Sequence, residues 1–112
     1  MILVQWSCIV PQDKVKSFIK FCKDVVQPFY DSHGCRRYEL FFASKVREQY
    51  FSYQVSQEEN RYTEQFIFDS LKDFECFLKL NECDPQAKEI VESYGKKFQV
   101  SSCIFTIFEQ KA

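Results

Sequence analysis

An imidazole and a thiol stand two residues apart in QPFYDSHGCRRYELFF, residues 27–42, as His33 and Cys35. Histidine is the side chain whose charge changes near neutral pH, which makes His33, the only one in the chain, the candidate general base. That role needs a partner to fix its tautomer, and Asp31 is near in sequence without an evident orientation toward it. The competing reading makes His33 a polar group before a turn, or a cation beside the carbonyl end of a helix. Cys35 at a strand start reads as a small apolar residue rather than a nucleophile. Arg36 and Arg37 follow it but point to opposite faces of a strand.

The six cysteines, at positions 8, 22, 35, 76, 83 and 103, contain no Cys-x-x-Cys pair, so no metal site is expected. The opening MILVQWSCIV lacks a basic leader and a cleavage site and is too short to span a bilayer. It reads as a strand, so the expectation is free thiols in the cytoplasm, with no membrane association. A net charge of −1 gives no bias toward nucleic acid. Nor does RYTEQFIFD carry the glycine-bearing basic signature of a base-stacking sheet. Phosphate loops, a Ser-His-Asp triad and zinc-protease motifs have no candidates.

The elements that must position these residues follow from periodicity. Residues 2–10 predict a first strand. Val15, Phe18, Ile19, Cys22, Val25, Val26 and Phe29 form one apolar stripe on a helix, which Pro28 is expected to end or kink. Gly34 suits the reversal that follows. Tyr38, Leu40 and Phe42 alternate with Arg37, Glu39 and Phe41, and alternation resumes in QYFSYQV. In YTEQFIFD, Tyr62, Glu64, Phe66 and Phe68 share one phase. This predicts an extended hairpin over 44–61 with its tip near Gln57 to Arg61, serving as a subunit arm or a lid.

Ser70 with Asp73, and Asp84 with Pro85, open two further helices, and FQVSSCIFTIFEQ is a last strand, apolar on both faces at its middle. The order is that of an α+β, ferredoxin-like βαββαβ chain: one domain over residues 1–112, an antiparallel sheet with helices on one face. Thirteen phenylalanines in 112 residues are more apolar bulk than a small monomer easily hides, so a second copy is expected to cover the sheet.

Pro28, Gly34, Cys35, Tyr38, Glu39 and Leu40 form the pattern P-x5-G-C-x-x-Y-E-L. It resembles the helix-to-strand junction of the antibiotic biosynthesis monooxygenase-like family, and the element order matches over nearly the whole chain. The resemblance implies a dimeric α/β barrel, a homodimer packed through the sheet faces. It also implies a cavity for a small planar aromatic ligand, with cofactor-free oxidation of quinol-type substrates as one activity found in the family. Under that reading Gln5, Tyr38 and Phe68 line the substrate site, His33 is a remote candidate base, and Trp6 on the opposite face is an interface anchor. No cofactor is implied.

The haem-degrading branch carries an Asn, a Trp and a His at positions that here fall on Gln5, Phe68 and no histidine at all. That chemistry is therefore not expected. The alternative is a ligand-binding or assembly module with no enzymatic activity.

Overall fold

The computed structural model describes residues 1–43 and 58–111. Most of the extended hairpin expected over 44–61 lies outside the described residues, which resume at Glu58 just before the third strand.

Four strands form the sheet: β1 (Ile2–Ile9), β2 (Arg37–Phe42), β3 (Arg61–Phe68) and β4 (Ser101–Glu109). Their order is β2-β3-β1-β4 and every neighbouring pair is antiparallel. Each of the two crossovers is helical, which is the ferredoxin-like plan.

The first crossover is one helical rod: α1 (Val15–Phe21), a π-helical segment (Cys22–Val26) and α2 (Gln27–Asp31). Of the two outcomes expected at Pro28, an end or a kink, the helix does not end there; its regular α geometry is interrupted just before it. In an α-helix the proline ring would meet the Asp24 carbonyl and leave it without its N–H partner. The wider π turn, in which the Gln27 N–H donates to the Cys22 carbonyl, lies directly before that point and carries the helix through to Asp31. Gly34, at φ +91°, then makes the reversal into β2.

The second crossover holds α3 (Leu71–Cys83) and α4 (Pro85–Lys96). The Ser70 hydroxyl caps α3 by accepting from the Asp73 N–H at 3.2 Å. The Asp84 carboxylate caps α4, accepting from Gln86 N at 2.8 Å and Ala87 N at 3.1 Å.

One strand phase faces the helices. Ile2, Val4 and Cys8 of β1 and Tyr62, Phe66 and Phe68 of β3 are buried there against Phe18, Val26, Phe29, Phe74, Phe77 and Phe98. The other phase is open and mixes Leu3, Gln5 and Ser7 with Thr63, Gln65 and Ile67. β4 is one of the two edge strands, and Ile104, Phe105, Ile107 and Phe108 on its two faces are all about half exposed.

The pairing of β1 with β4 shifts between Ser7 and Ile9, where Ser102 takes a left-handed φ of 50°. Arg61, nearly buried on the open face, donates to Ser7 Oγ at 2.7 Å and to the Ser102 carbonyl at 3.1 Å, pinning the bulge.

The core is carried by interlocked rings, with Phe68 fully buried against Phe74 and Phe77. Phe68→Ala should cost about 3–5 kcal/mol in urea denaturation. Phe42→Ala, at a 55% exposed position, should cost under about 1 kcal/mol.

Candidate functional site

Strand alternation puts Glu64 in the inward phase of β3, between Tyr62 and Phe66, where its neighbours are aromatic. A carboxyl taken out of water there must find donors. Three elements supply them. Tyr38 of β2 donates its hydroxyl to Glu64 Oε1 in a very short hydrogen bond. Tyr94 of α4 donates to the carboxyl at 3.0 Å from Oε1 and 2.8 Å from Oε2. Cys22, the first residue of the π segment, donates its thiol to Oε1 at 3.6 Å. Among the described residues no lysine, arginine or histidine forms an ion pair with Glu64.

The electrostatics follow from this arrangement. Burial pushes the Glu64 carboxyl above its ordinary range, and the three donors pull it back only in part. Burial and the neighbouring Glu64 together push up Cys22, Tyr38 and Tyr94, so these groups keep their protons and remain donors. The result is one acid of raised proton affinity held by neutral groups, a perturbed carboxyl of the kind found at proton-transfer sites.

This cluster borders a cavity of about 240 Å³ between sheet and helices. Its lining is aromatic, with Trp6, Tyr30, Phe66, Tyr94 and Phe105, and is completed by Glu64, Asn81 and Val91. Val91 and Phe105 are more than half exposed, so they border its solvent side. Inside, Trp6 meets Tyr94 edge-on at 4.5 Å between ring centroids, and Tyr30 lies 4.6 Å from Phe66. Tyr38 and Cys22 border a second hollow of about 300 Å³ beside Lys23, Gln27 and Glu39. The Glu64 hydrogen bonds thus join the two spaces.

The residues singled out from the sequence are distributed differently. The face assignment in β1 is reversed: Trp6 lies on the helix side and lines the cavity, while Gln5 lies on the open face, its amide donating to Gln65 Oε1 at 2.9 Å. In β1 the even phase is wholly apolar and both polar residues, Gln5 and Ser7, are odd, so the signal for the correct faces was present. Tyr38 reaches the Glu64 cluster, whereas Phe68 is packed in the core and does not line the cavity.

His33 sits past the end of α2 with its ring against Phe29 at 4.3 Å. Its Nδ1 is 2.7 Å from the Phe29 carbonyl, which can only accept, so that nitrogen carries the hydrogen. This is a helix-end contact away from the cavity lining. Cys35 is buried, its thiol donating to the Arg37 carbonyl at 3.2 Å.

Glu64, Tyr94 and Asn81 were not singled out. For Glu64 the sign was legible: a charged residue in the phase of Tyr62, Phe66 and Phe68. Tyr94 shares the apolar stripe of α4 with Ala87, Ile90 and Val91, which marks its face but not its meeting with β3, and Asn81 gave no such sign. Among the described residues, no group of three or more His, Cys, Asp and Glu side chains is placed to hold a metal ion, and no helix is long and apolar enough to cross a membrane.

No protein-family model and no curated protein matches the chain. Solved structures do match its fold. A candidate antibiotic biosynthesis monooxygenase from Deinococcus radiodurans superposes with a TM-score of 0.71 at 12% identity, covering 100% of this chain and 94% of that one. A NIPSNAP domain protein from Burkholderia xenovorans gives 0.70 at 13%, covering 100% and 96%. A third, an antibiotic biosynthesis monooxygenase, gives 0.66 at 11% with complete coverage of both chains. At these identities the likeness is one of fold.

Because its folded pKa is raised, ionising Glu64 opposes folding: wild type should lose stability relative to Glu64→Gln as pH climbs from 4.5 through the folded pKa. Each unit of raised pKa contributes about 1.4 kcal/mol to that loss. Urea titrations of both proteins at pH 4.5 and pH 8 measure it, and a difference independent of pH would refute it.

For the thiols, burial raises Cys8 to about 12 and lifts Cys22 and Cys35 as well, while Cys76 and Cys83 on α3 are exposed. A thiol reagent at pH 8 should label Cys76 and Cys83 at once and the three buried thiols only on unfolding, as peptide mapping would read.

Proposed function

We propose that this chain is a homodimeric binding protein for a small planar aromatic ligand, held in the cavity between sheet and helices. The observation that carries the reading is a buried Glu64 carboxyl, with Tyr94 bonded to it, bordering a space otherwise lined mainly by rings. Flat aromatic walls favour a flat aromatic guest, and a few convergent polar groups fix its orientation. The fold alone carries no activity, because one fold hosts many functions.

The dimer rests on β4. An edge strand with apolar residues on both faces and free backbone groups is a surface that chains normally cover. A second copy applied to this edge and to the open sheet face would close the barrel. Six free thiols suit a reducing compartment such as the cytoplasm.

Cofactor-free oxidation of a quinol is the second reading, favoured by one feature, the raised proton affinity of Glu64. In it Glu64 takes the phenolic proton and the electron-rich anion reacts with oxygen itself. The cavity is poorly made for the next step. The anion would lie beside a carboxyl, and among the described residues that line it none is a lysine, arginine or histidine. Binding is therefore the reading preferred.

Trp6 is the only tryptophan and lines the cavity, so its fluorescence reports occupancy directly. Titration with a naphthalene-type hydroquinone, kept under nitrogen, should quench it saturably, and in air the oxygen uptake should equal that of the free compound. Oxygen uptake accelerated by wild type and cut tenfold or more in Glu64→Gln would establish the oxygenase instead. Absence of saturable quenching would count against binding altogether.

For the dimer, native mass spectrometry should give twice 13.5 kDa, with Cys103 of β4 protected from the thiol reagent. Phe108→Glu should return the monomer mass and expose Cys103.

A further inference from the structure

We propose that the cavity selects a planar aromatic ligand carrying a positive charge, such as an N-alkylated heterocycle, with Glu64 as its counter-ion and the rings of Trp6, Tyr30 and Tyr94 about it. The inference rests on the reading that the cavity binds a planar ligand, and it adds the ligand's charge.

Three observations lead to it. Glu64 is a buried acid bordering the cavity and, among the described residues, it has no cationic partner. A buried charge is normally compensated, and hydrogen bonds from neutral phenols and a thiol satisfy its lone pairs without balancing its charge. Second, Trp6, Tyr30, Phe66 and Tyr94 line the same cavity as that acid, and aromatic rings attract a cation through their negative faces, most strongly in a desolvated place. Third, among the described residues no lysine, arginine or histidine lines the cavity, so an anionic guest would meet Glu64, rings and the uncharged Asn81 and Val91. A cationic guest satisfies the acid and the rings together, whereas a neutral one uses the rings alone.

Among the described residues, the titratable groups facing Glu64 are Cys8 of β1, Cys22 and Tyr30 of the first helical rod, Tyr38 of β2 and Tyr94 of α4. All have raised proton affinity. Below pH 9 they stay neutral, and Glu64 is the group in the cluster whose charge varies.

The test compares three flat probes of similar size by Trp6 fluorescence at pH 8: N-methylquinolinium, 4-methylquinoline, which is uncharged there, and 2-naphthoate. Wild type should bind the cation at least tenfold more tightly than the neutral probe and leave the naphthoate unbound. Glu64→Gln should abolish the preference while still binding 4-methylquinoline. With wild type alone, the affinity for N-methylquinolinium should rise with pH as Glu64 ionises, and that for a neutral probe should not; this arm stands even if the variant fails to fold. Equal affinities of cation and neutral probe, or a preference that survives in a folded Glu64→Gln, would overturn the inference and leave the binding reading intact. Failure of all three probes to quench Trp6 would overturn both.

Discussion

One buried carboxyl organises the middle of this protein. Glu64 is the point at which β2, β3, the first helical rod and α4 meet, because Tyr38, Cys22 and Tyr94 each bring a donor to it. Removing a carboxyl from water without a cation is among the more expensive choices a small fold can make. The cost is limited here by hydrogen bonds and by the raised proton affinity that lets the group go neutral. The surroundings conform to it. The widened turn begins at Cys22, and Tyr94 is held by rings on either side, Trp6 at 4.5 Å and Phe21 at 5.8 Å. A purely apolar side chain at position 64 would pack this centre without strain but would leave three donors facing it unmatched.

Position rather than composition turns that centre into a site. The same residues closed over by one more helix would be a polar core and nothing else. Here the space beside Glu64 stays open between sheet and helices, and the exposed Val91 and Phe105 border it. The second hollow is lined by Tyr38 and Cys22, two of the groups that donate to the same carboxyl. The contrast with His33 is instructive. The chain's single imidazole is spent on a helix carbonyl and on the face of Phe29, where it steadies the turn into β2.

Much of the architecture was legible because it follows from local rules. The stripe from Val15 to Phe29, the caps at Ser70 and Asp84 and the reversal at Gly34 each have one physical solution, and their order leads to the ferredoxin-like sheet. The site was legible only in part. In β3 the alternation itself set Glu64 among Tyr62, Phe66 and Phe68, a signal strong enough to name the centre. In β1 weight given to the amide of Gln5 reversed the faces, although its phase, shared with Ser7, marked it as outward. At Pro28 the local rule marked where the regular helix is disturbed, but it did not foresee that a π turn would accommodate the ring and carry the helix on. Asn81 belongs to the class that no local pattern reveals, and Tyr94, although on the apolar stripe of α4, is brought to Glu64 only by helix packing.

The account stands on the proton affinity of Glu64 in the folded protein. The most direct measurement is a pH titration of carboxyl carbon shifts in 13C-glutamate-labelled protein by NMR, with Glu64 assigned by its loss in Glu64→Gln. The account predicts a Glu64 midpoint above the ordinary 4.5, set apart from the exposed glutamates. A midpoint at or below 4.5 would mean that the carboxyl is fully stabilised as an anion, by donors or by a cation it already has, and would contradict the account at its centre.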